Sequence, residues 1–421
     1  MEQNHEIFQE RAVLVGLNAD CFTKAQTATD ETLEELEALL ETAGGFCTAK
    51  VLQNRHTPDS HSFIGEGKAQ EVRMLIEATE STMAVFDNEL SPGHIRAVEE
   101  ILGVTVLDRS ALILDIFAQR AKTREGRLQV ELAQYKYLLP RLSGMGKSLS
   151  RQGGGIGTRG PGETKLESDR RHIRERIARL QTELEQVRQV RGVQRERRMK
   201  NSVPVVAIVG YTNAGKSTLL NQLTGAGIPA NNRLFDTLDT TSRQLHVSDN
   251  LDVVLSDTVG FIAKLPHHLV DAFRATLEEL EYADLLLHVI DSHDPNREEH
   301  IAVVDRLIAK LAKPGTRVLR CYKKADLVSA EEIPVGEDVV KISAATGRGM
   351  TELLQAIEIA LGHSRHHVIL TLPYSMGGMV EKLHDGAQVL NVDYTAEGIC
   401  VEAILDPIFY GRMKEYITKE C

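Results

Sequence analysis

The chain has 421 residues, 42% of them hydrophobic, and a net charge of −11. This length allows about three domains, and the composition is ordinary for a soluble globular protein. No apolar run reaches the roughly 18 residues of a membrane span, and the N-terminus has neither region of a secretory signal, so we expect no integral membrane segment. The five cysteines are scattered without metal-ligand spacing. Free thiols in a reducing cytoplasm are therefore predicted.

The first part of the chain, residues 1–108, predicts an N-terminal α/β domain. Short apolar runs typical of buried strands alternate with segments of helical spacing. The predicted strands are 12–16, 46–52, 83–86 and 104–107, and the predicted helices are 32–40, 69–78 and 94–102. Strands that alternate with helices favour a parallel sheet. Nothing in this part of the sequence forms a catalytic constellation.

Residues 109–200 predict a helical subdomain. Apolar residues at three- and four-residue steps over 109–140 predict one helix, which Pro140 ends. A second helix is predicted from a capping box made by Thr164 and Glu167. Its heptad-like apolar seam predicts pairing either with the first helix, as a hairpin or coiled coil, or with a following helical segment.

A glycine-rich loop over residues 143–162 joins these two helices. It is either a flexible linker or a loop that becomes ordered against phosphates. Between residues 143 and 200 the chain has 15 Lys or Arg and 7 Asp or Glu, although its net charge is negative. The arginines of the second helix are Arg170, Arg171, Arg174, Arg176 and Arg179.

Such a local basic region is either a solvated helix face or a site for a localised anionic partner. Its position beside the glycine-rich loop favours RNA. No aromatic residues are interleaved with the arginines, so we expect contacts with the RNA backbone rather than base stacking.

Residues 201–362 predict a nucleotide-binding domain. The apolar run 203–209 leads into the pattern G-x-x-x-x-G-K-S, and a helical pattern follows, which is the context of a P-loop. Backbone N–H groups and the helix N-terminus would bind phosphate, Lys216 would reach the β- and γ-phosphates, and Ser217 would bind Mg²⁺. The predicted loop residues are Gly210, Tyr211, Thr212, Asn213, Ala214, Gly215, Lys216, Ser217 and Thr218.

Further motifs follow the P-loop at the ends of predicted strands. The D-x-x-G motif runs from Asp257, a carboxylate for the Mg²⁺ shell, to Gly260, whose N–H can sense the γ-phosphate. Before it, the sequence F-D-T-L at 235–238 predicts a mobile switch. After it come Lys323-Lys324-Ala325-Asp326 and then Ser343-Ala344.

In order and spacing, these motifs resemble the translation-factor-related GTPases, and the F-x-T-L switch is similar to that of the Obg and HflX branch. The stretch 153–167, followed by Asp169-Arg170-Arg171, closely resembles the signature that precedes the GTPase domain in the HflX family. The resemblance covers nearly the whole chain. It implies a cytoplasmic, Mg²⁺-dependent GTP hydrolase that binds the large ribosomal subunit, or its RNA, and splits or rescues stalled ribosomes. We expect a monomer with no DNA partner.

The resemblance also implies roles for single residues. Lys216, Thr237 and Gly260 would be the catalytic groups, and Thr237 would bind Mg²⁺ in the GTP state with Asp257 behind the metal. In the base site, Asp326 would read the N1 and N2 edge of guanine and Lys324 would lie along the base. The backbone of Ser343 and Ala344 would meet O6.

Three positions need separate interpretation. Phe261 stands where many GTPases have a glutamine that orients the attacking water. We therefore expect slow intrinsic hydrolysis unless a partner or an ion orients that water. The alternative is that the Phe261 side chain only packs in the protein interior. Lys323 replaces the asparagine of N-K-x-D, which predicts weaker nucleotide affinity and poorer discrimination against ATP, although Asp326 keeps guanine as the prediction. Asn213 matches a residue that helps to hold K⁺ in related GTPases. The alternative is an asparagine that only stabilises the loop.

Residues 363–421 predict a small C-terminal α/β domain. Its predicted strands are 366–371, 387–392 and 399–405, and its predicted helices are 376–383 and 410–417. The predicted architecture is therefore a multidomain α/β chain whose central parallel sheet carries helices on both faces. Two other functions stay open: a non-ribosomal GTPase switch that binds a protein, and an RNA-binding module whose nucleotide is structural.

Overall fold

The computed structural model describes eleven stretches of the chain, and side chains within its longest helix from 167 to 190. The described stretches are residues 9–24, 26–142, 161–200, 203–225, 234–235, 241–248, 251–264, 279–362, 366–395, 398–405 and 407–420. The predicted switch threonine Thr237 and the glycine-rich loop up to residue 160 lie outside them. Two compact units divide the chain. The first comprises Met1–Gln186, Asn231–Asp239 and Ile262–Ala275, and the second comprises Val187–Ala230, Thr240–Phe261 and Thr276–Cys421.

The first unit contains a four-stranded parallel sheet of order β2-β1-β3-β4. Its strands are β1 (Arg11–Ala19), β2 (Phe46–Arg55), β3 (Met83–Phe86) and β4 (Thr105–Asp108), and its crossover helices are α1 (Asp30–Ala43), α2 (Glu66–Thr79) and α3 (Pro92–Leu102). The central strand β1 is a nearly continuous buried apolar run, as a parallel strand covered on both faces requires. The predicted parallel α/β arrangement is thus present.

Two helices, rather than the single predicted one, follow this sheet. They are α4 (Arg109–Arg120) and α5 (Arg124–Arg141). The prediction failed because Thr123 begins a new helix: its hydroxyl accepts the Gly126 N–H at 3.0 Å. Pro140 lies inside α5 and does not end it.

The long helix α6 (Pro161–Lys200) begins earlier than predicted. Thr164 lies inside it and is not its N-cap, so the predicted capping box is wrong. The seam does bury Leu180 and Leu184. Arg176 donates two hydrogen bonds to the carboxylate of Glu131 on α5, at 2.9 and 3.0 Å, so the predicted pairing of α6 with the preceding helical segment is observed.

A buried ion cluster lies at the carboxyl edge of the first unit's sheet. Asp87 follows β3 and is fully buried. Arg109 donates to Asp87 at 2.8 Å, to Glu35, and to the carbonyl of Ala263 at 3.3 Å. Lys264 donates to the second oxygen of Asp87. Burial lowers the pKa of Lys264, and the Asp87 carboxylate opposes that shift.

Another short segment packs into the first unit near this cluster's helices. Phe235 contacts the ring of Phe117 edge-on, with centroids 4.7 Å apart. The Leu234 N–H donates to the hydroxyl of Thr42 at 3.3 Å. The residues just before the predicted switch threonine, like those just after Phe261, are therefore held by side chains of this unit.

The second unit contains a six-stranded sheet of order β10-β9-β8-β5-β7-β6. Every neighbouring pair is parallel except β6 with β7. Its strands are β5 (Val205–Gly210), β6 (Thr241–Ser248), β7 (Leu251–Asp257), β8 (Leu285–Asp291), β9 (Arg317–Lys323) and β10 (Val339–Lys341), and its helices include α7 (Lys216–Thr224), α8 (Arg297–Leu311) and α9 (Met350–Gly362). Strand β6 was not predicted, because this edge strand is mostly exposed and shows no apolar alternation.

A small antiparallel sheet of order β12-β13-β11-β14 closes the chain. Its elements are β11 (His366–Leu372), α10 (Gly377–Gly386), β12 (Gln388–Thr395), β13 (Gly398–Leu405), α11 (Pro407–Met413) and β14 (Ile417–Glu420). The predicted small α/β fold is present, with one correction: the last helix ends at Met413, and a fourth strand replaces its expected end. Among the described helices, none is long and apolar enough to cross a membrane.

Candidate nucleotide-binding site

The predicted motifs meet at one edge of the second unit's sheet. The P-loop follows β5, Asp257 is the last residue of β7, and Lys323 is the last residue of β9. Ser343 lies two residues beyond β10. Because these strands are parallel, their carboxyl ends lie along the same edge, where ligands of such sheets bind. The described motif residues are therefore brought together.

The backbone of the P-loop explains its glycines. A Cβ at Gly210 would lie 2.5 Å from the Val289 carbonyl oxygen, so no side chain fits there. Gly215 has a φ of 89° and is the N-cap of α7. Asn213 has a φ of 61°, a left-handed conformation that asparagine adopts more readily than most residues. Its side chain is exposed. This conformation alone is a sufficient reason for asparagine in the loop.

Lys216 lies at the start of α7 with a buried side chain. Its ammonium donates to the carbonyl oxygens of Gly210 at 3.2 Å and Tyr211 at 2.8 Å, across the loop. Burial lowers the pKa of Lys216 to about 8, and the nearby Asp257 carboxylate opposes this shift. The ammonium is thus held over the loop in an environment that favours an added negative charge.

Oxygen atoms that could be ligands of Mg²⁺ lie near Lys216. The Ser217 hydroxyl donates to the fully buried Asp257 carboxylate at 3.0 Å. The Thr212 hydroxyl is buried and has no hydrogen-bond partner among the described residues. Hydroxyl and carboxylate oxygens are the hard ligands that Mg²⁺ prefers, so these residues fit the metal. Of the other loop residues, Ala214 is buried and Thr218 is exposed.

The D-x-x-G motif is joined to the P-loop by two backbone hydrogen bonds. The Phe261 N–H donates to the Gly210 carbonyl at 3.1 Å, and the Thr212 N–H donates to the Phe261 carbonyl at 2.7 Å. A Cβ at Gly260 would lie about 3.0 Å from both Thr212 and the Lys216 ammonium. The Phe261 ring is 2% exposed, so it packs inside the protein. No polar side chain follows Gly260 at this position.

The two predicted base-binding segments are also adjacent. The Ala325 N–H donates to the Ile342 carbonyl at 3.1 Å, which joins them at their starts. A cavity of about 640 Å³ is lined by both Asp326 and Ser343. Asp326 is exposed, Ser343 is buried and Ala344 is half-buried. The rest of this cavity runs along β10 and α9, away from the P-loop residues.

Sequence reasoning missed the partner of Lys324. The Lys324 ammonium forms an ion pair with Asp291 at 2.6 Å. Asp291 ends the apolar strand β8 at the same sheet edge. A carboxylate at the end of a predicted buried strand was the feature of the sequence that could have indicated this ion pair. Lys323, by contrast, crosses to the P-loop, where its ammonium donates to the Gly215 carbonyl at 3.3 Å. Lys323 therefore joins the predicted base-binding segment to the P-loop.

A second missed feature lies on the other side of the loop. Tyr211 stacks on His300 with ring centroids 3.6 Å apart and an angle of 10° between the planes. Both residues line a small cavity of about 80 Å³, together with the buried His288. Burial lowers the pKa of His288, whereas Asp305 opposes this. No motif in the sequence predicts this stack, because His300 lies on α8, far along the chain from Tyr211.

Three family profiles match the chain. A GTP-binding GTPase N-terminal profile matches residues 30–118, a GTP-binding GTPase middle-region profile matches 120–198, and a profile described as a 50S ribosome-binding GTPase matches 205–324. They cover in turn strands β2 to β4 of the first sheet, the helices with the basic region, and the P-loop through Lys324.

Individual proteins are similar over nearly the full length. The GTPase HflX of Caldanaerobacter subterraneus is 46% identical over 97% of this chain and 94% of its own. The GTPase HflX of Alkalihalophilus pseudofirmus is 49% identical over 98% of each chain. Among solved structures, a GTP-binding protein from Sulfolobus solfataricus in complex with GDP is 26% identical, with a TM-score of 0.44, over 84% of this chain and 99% of that one.

Proposed function

Since the chain belongs to the HflX family of GTPases, we propose that it binds the large ribosomal subunit and splits or rescues ribosomes, with the bound nucleotide setting its affinity. The 50S ribosome-binding description of the profile over 205–324 supports this partner. We further propose that the protein acts in the cytoplasm as a monomer, without a DNA partner. The proposed division into domains is 1–108, 109–200, 201–362 and 363–421.

The hydrolytic step follows from the chemistry of the P-loop edge. Water attacks the γ-phosphate, and the Lys216 ammonium with the loop N–H groups stabilises the charge that develops on the phosphate oxygens. The Gly260 N–H would sense the γ-phosphate. Because Phe261 is buried and cannot hydrogen-bond water, the intrinsic rate is slow. The bound partner or an ion then orients the attacking water.

Two cations belong to this proposal. Ser217 and Thr237 would bind Mg²⁺, with Asp257 behind the metal, and the ion would neutralise charge on the transferred phosphoryl group. The exposed Asn213 side chain supports the potassium hypothesis, because it is available to an ion. Its left-handed backbone supports the alternative of a purely structural asparagine. Equal GTP turnover in K⁺ and Na⁺ would eliminate the potassium site.

The base site completes the proposed set of residues. Asp326 would accept from guanine N1 and N2, Lys324 would lie along the base while paired to Asp291, and the Ser343 and Ala344 backbone would meet O6. The hydrogen bond from the Ala325 N–H to the Ile342 carbonyl, which holds the two segments side by side, supports this placement. Asp326→Asn should shift the preference towards xanthine nucleotides, since the amide offers a donor where xanthine has a carbonyl.

We propose that the exposed arginines of α6 bind ribosomal RNA. Arg171, Arg174 and Arg179 are exposed on this helix. Arg176 instead pairs with Glu131, so it is engaged within the helical pair. Three exposed guanidinium groups on one helix, in a chain of net charge −11, suit an RNA backbone.

One assay tests both halves of the function. GTP and ATP turnover is measured with and without large ribosomal subunits, in K⁺ and in Na⁺. Large subunits should accelerate GTP turnover well beyond the basal rate. Turnover that is unchanged by subunits would argue for the non-ribosomal switch instead.

A charge-matched pair of variants tests the arginines. Arg171→Gln/Arg174→Gln/Arg179→Gln should weaken subunit binding and reduce the salt slope by roughly 2 to 3, at about 0.7 to 0.9 per phosphate contact. Arg306→Gln/Lys310→Gln/Lys313→Gln removes the same charge from exposed positions on and after α8. Equal losses in the two variants would show a general charge effect only.

The third function, an RNA-binding module with a structural nucleotide, has its own test. Lys216→Ala should abolish GTP turnover. If the variant still supports the cellular function under stress, hydrolysis is not required and the nucleotide is structural.

A further inference from the structure

One residue of the P-loop is held by its side chain as well as by its backbone. The Tyr211 ring is 7% exposed and lies flat on the His300 imidazole. The carbonyl of the same tyrosine accepts from the Lys216 ammonium at 2.8 Å and from the Ala214 N–H at 3.3 Å. A contact that fixes the Tyr211 ring therefore also restricts the backbone on which this lysine rests.

The loop needs such an anchor because glycines stand at both of its ends. These are Gly210 and Gly215, and between them the side chain of Asn213 is exposed. Glycine leaves the backbone more freedom than any other residue, so ordering a loop of this kind costs conformational entropy. An anchor on Tyr211 removes part of that freedom before a nucleotide arrives.

The His300 imidazole is itself held in place. His300 lies in the first turn of α8, where its backbone N–H donates to the Asn296 carbonyl at 3.0 Å. Its Nδ1 lies 3.0 Å from the carboxylate of Asp294, and this carboxylate also accepts the Asn296 N–H at 2.8 Å. The ring therefore cannot turn away from Tyr211 without losing its contact with Asp294.

The space beside the stack makes the loop sensitive to this one ring. A cavity of about 80 Å³ adjoins the stack, and Tyr211, His288 and His300 are among the residues that line it. Since this side of the stack is already open, removal of the His300 ring would enlarge the cavity. The Tyr211 ring would then lose the atoms against which it lies and gain room to move.

We infer that His300 is a positioning residue of the phosphate site. Its imidazole, oriented by Asp294, holds the Tyr211 ring and so keeps the loop in the arrangement that binds phosphate before nucleotide is present. Without His300, binding must supply the free energy that orders the loop, but the bound phosphates then hold the loop themselves. The loss therefore falls on affinity and not on the rate of the bound complex. This inference rests on the proposed assignment of residues 210–218 as the phosphate-binding loop.

Nucleotide affinity and GTP turnover in variants of position 300 test the inference. His300→Ala should weaken GDP binding and raise the KM for GTP by about three- to tenfold, the range of an aromatic pair, while kcat stays within about twofold. The preference for GDP over GMP should narrow, because GMP reaches less of the phosphate loop. His300→Phe keeps an aromatic ring against Tyr211 and should recover most of the GDP affinity. His293→Ala removes an exposed histidine from the segment before α8, and this control should match wild type.

A double-mutant cycle tests whether His300 acts through Tyr211. Tyr211→Leu should weaken GDP binding as His300→Ala does, because either change removes the stack. The combined variant should bind GDP no more weakly than Tyr211→Leu alone, since the same contact cannot be lost twice. Losses that add in full would show that the two side chains act independently, which contradicts the inference.

Other results would also overturn the inference. If His300→Ala weakened GDP and GMP by the same factor, or lowered kcat at an unchanged KM, His300 would have a general structural role only. A His300→Phe protein that binds GDP as weakly as His300→Ala would exclude the stack as the cause. Lys216→Ala separates the two levels: if that variant binds GDP as tightly as wild type, the phosphate loop is misassigned. If it loses GDP and His300→Ala does not, only the role of His300 fails.

Discussion

Phe261 occupies the position after Gly260 with a buried ring, and its backbone joins two motifs. Because the side chain fills the interior, a glutamine there would bury an amide and leave a void. We expect Phe261→Gln to leave basal GTP turnover no faster and to destabilise the second unit by about 3 kcal/mol. Single-turnover hydrolysis and a thermal melt check this. Faster turnover at an unchanged melting temperature would contradict both expectations. It would show that a glutamine is accommodated at position 261 and can orient the attacking water.

The lowered pKa of Lys216 predicts a pH-dependent affinity for nucleotide. The ammonium is lost as the pH rises through about 8, and phosphate binds the charged form better. The affinity for GDP should therefore be full well below pH 8 and decrease above it, by up to about tenfold per pH unit.

Lys216→Arg is the control for this titration, because a guanidinium stays charged throughout. Its affinity should fall less with pH than that of the wild type. Since burial also lowers the pKa of Lys323, a shallow residual slope is expected in the arginine variant. Dissociation constants for GDP across this pH range, at fixed Mg²⁺, make the comparison. Parallel profiles in the two proteins would place the titrating group elsewhere.

Asp108, at the end of β4, connects a strand with two helices. Its carboxylate accepts the Ala111 N–H at 2.9 Å as the N-cap of α4. It also accepts from the hydroxyl of Tyr137 at 2.8 Å and from Arg141 at 2.9 Å, both on α5. Asp108 is fully buried, so its loss would remove the one carboxylate that the Arg141 guanidinium and the Tyr137 hydroxyl share.

Asp108→Ala should therefore destabilise the first unit by about 3 kcal/mol or more. Asp115→Ala removes an exposed carboxylate from α4 and should cost about 0.5 kcal/mol or less. The chain has no tryptophan, so hydrogen exchange of the peptides that cover residues 109–141 is a suitable readout. Equal protection in the two variants would contradict the role of Asp108 as a connector.

The elements that sequence reasoning found are those with a strong local signal. The P-loop strand and helix, the parallel strands and the C-terminal β-α-β pattern follow from apolar runs and turn chemistry. The break at Thr123 was missed because both flanking segments share one apolar periodicity. Strand β6 was missed because its pairing with β7, not its own sequence, defines it.

Within the site, motif spacing placed the phosphate-binding residues at one edge, but it could not give their contacts. That Lys323 reaches the Gly215 carbonyl depends on two loops far apart in sequence. The pairing of Asp291 with Lys324 depends on the neighbouring register of β8 and β9. Such non-local contacts leave no periodic trace in a single sequence.

At the scale of the whole chain, the first unit includes residues that lie far along the sequence. Lys264 is one of two cations on the buried Asp87 carboxylate. Lys264→Met would leave Asp87 with the Arg109 guanidinium and the Thr32 hydroxyl, so we expect a loss of about 2 kcal/mol in the free energy of unfolding, below the value for an unpaired buried charge. Faster hydrogen exchange in β1 and β3 would report it.

Lys68→Met is the comparison for that change. Lys68 is partly exposed and pairs with Glu71 on α2, an arrangement that is typically worth about 1 kcal/mol or less. Its exchange pattern should resemble that of the wild type. If the Lys264 and Lys68 variants behaved alike, the buried cluster would not stabilise the unit.

The composition of the first unit also constrains how the protein is made. Asp87, Arg109 and Phe117 leave the ribosome long before Leu234, Phe235 and Lys264, which are separated from them by the P-loop strand and helix. The nascent N-terminal sheet can therefore pair Asp87 with Arg109 at once, but it gains the Lys264 ammonium only after part of the second unit has been synthesised. Domains usually mature in order from the N-terminus. Here the first unit is complete only after part of the second has been synthesised, so a chain that stops before the P-loop would lack pieces of its own first unit.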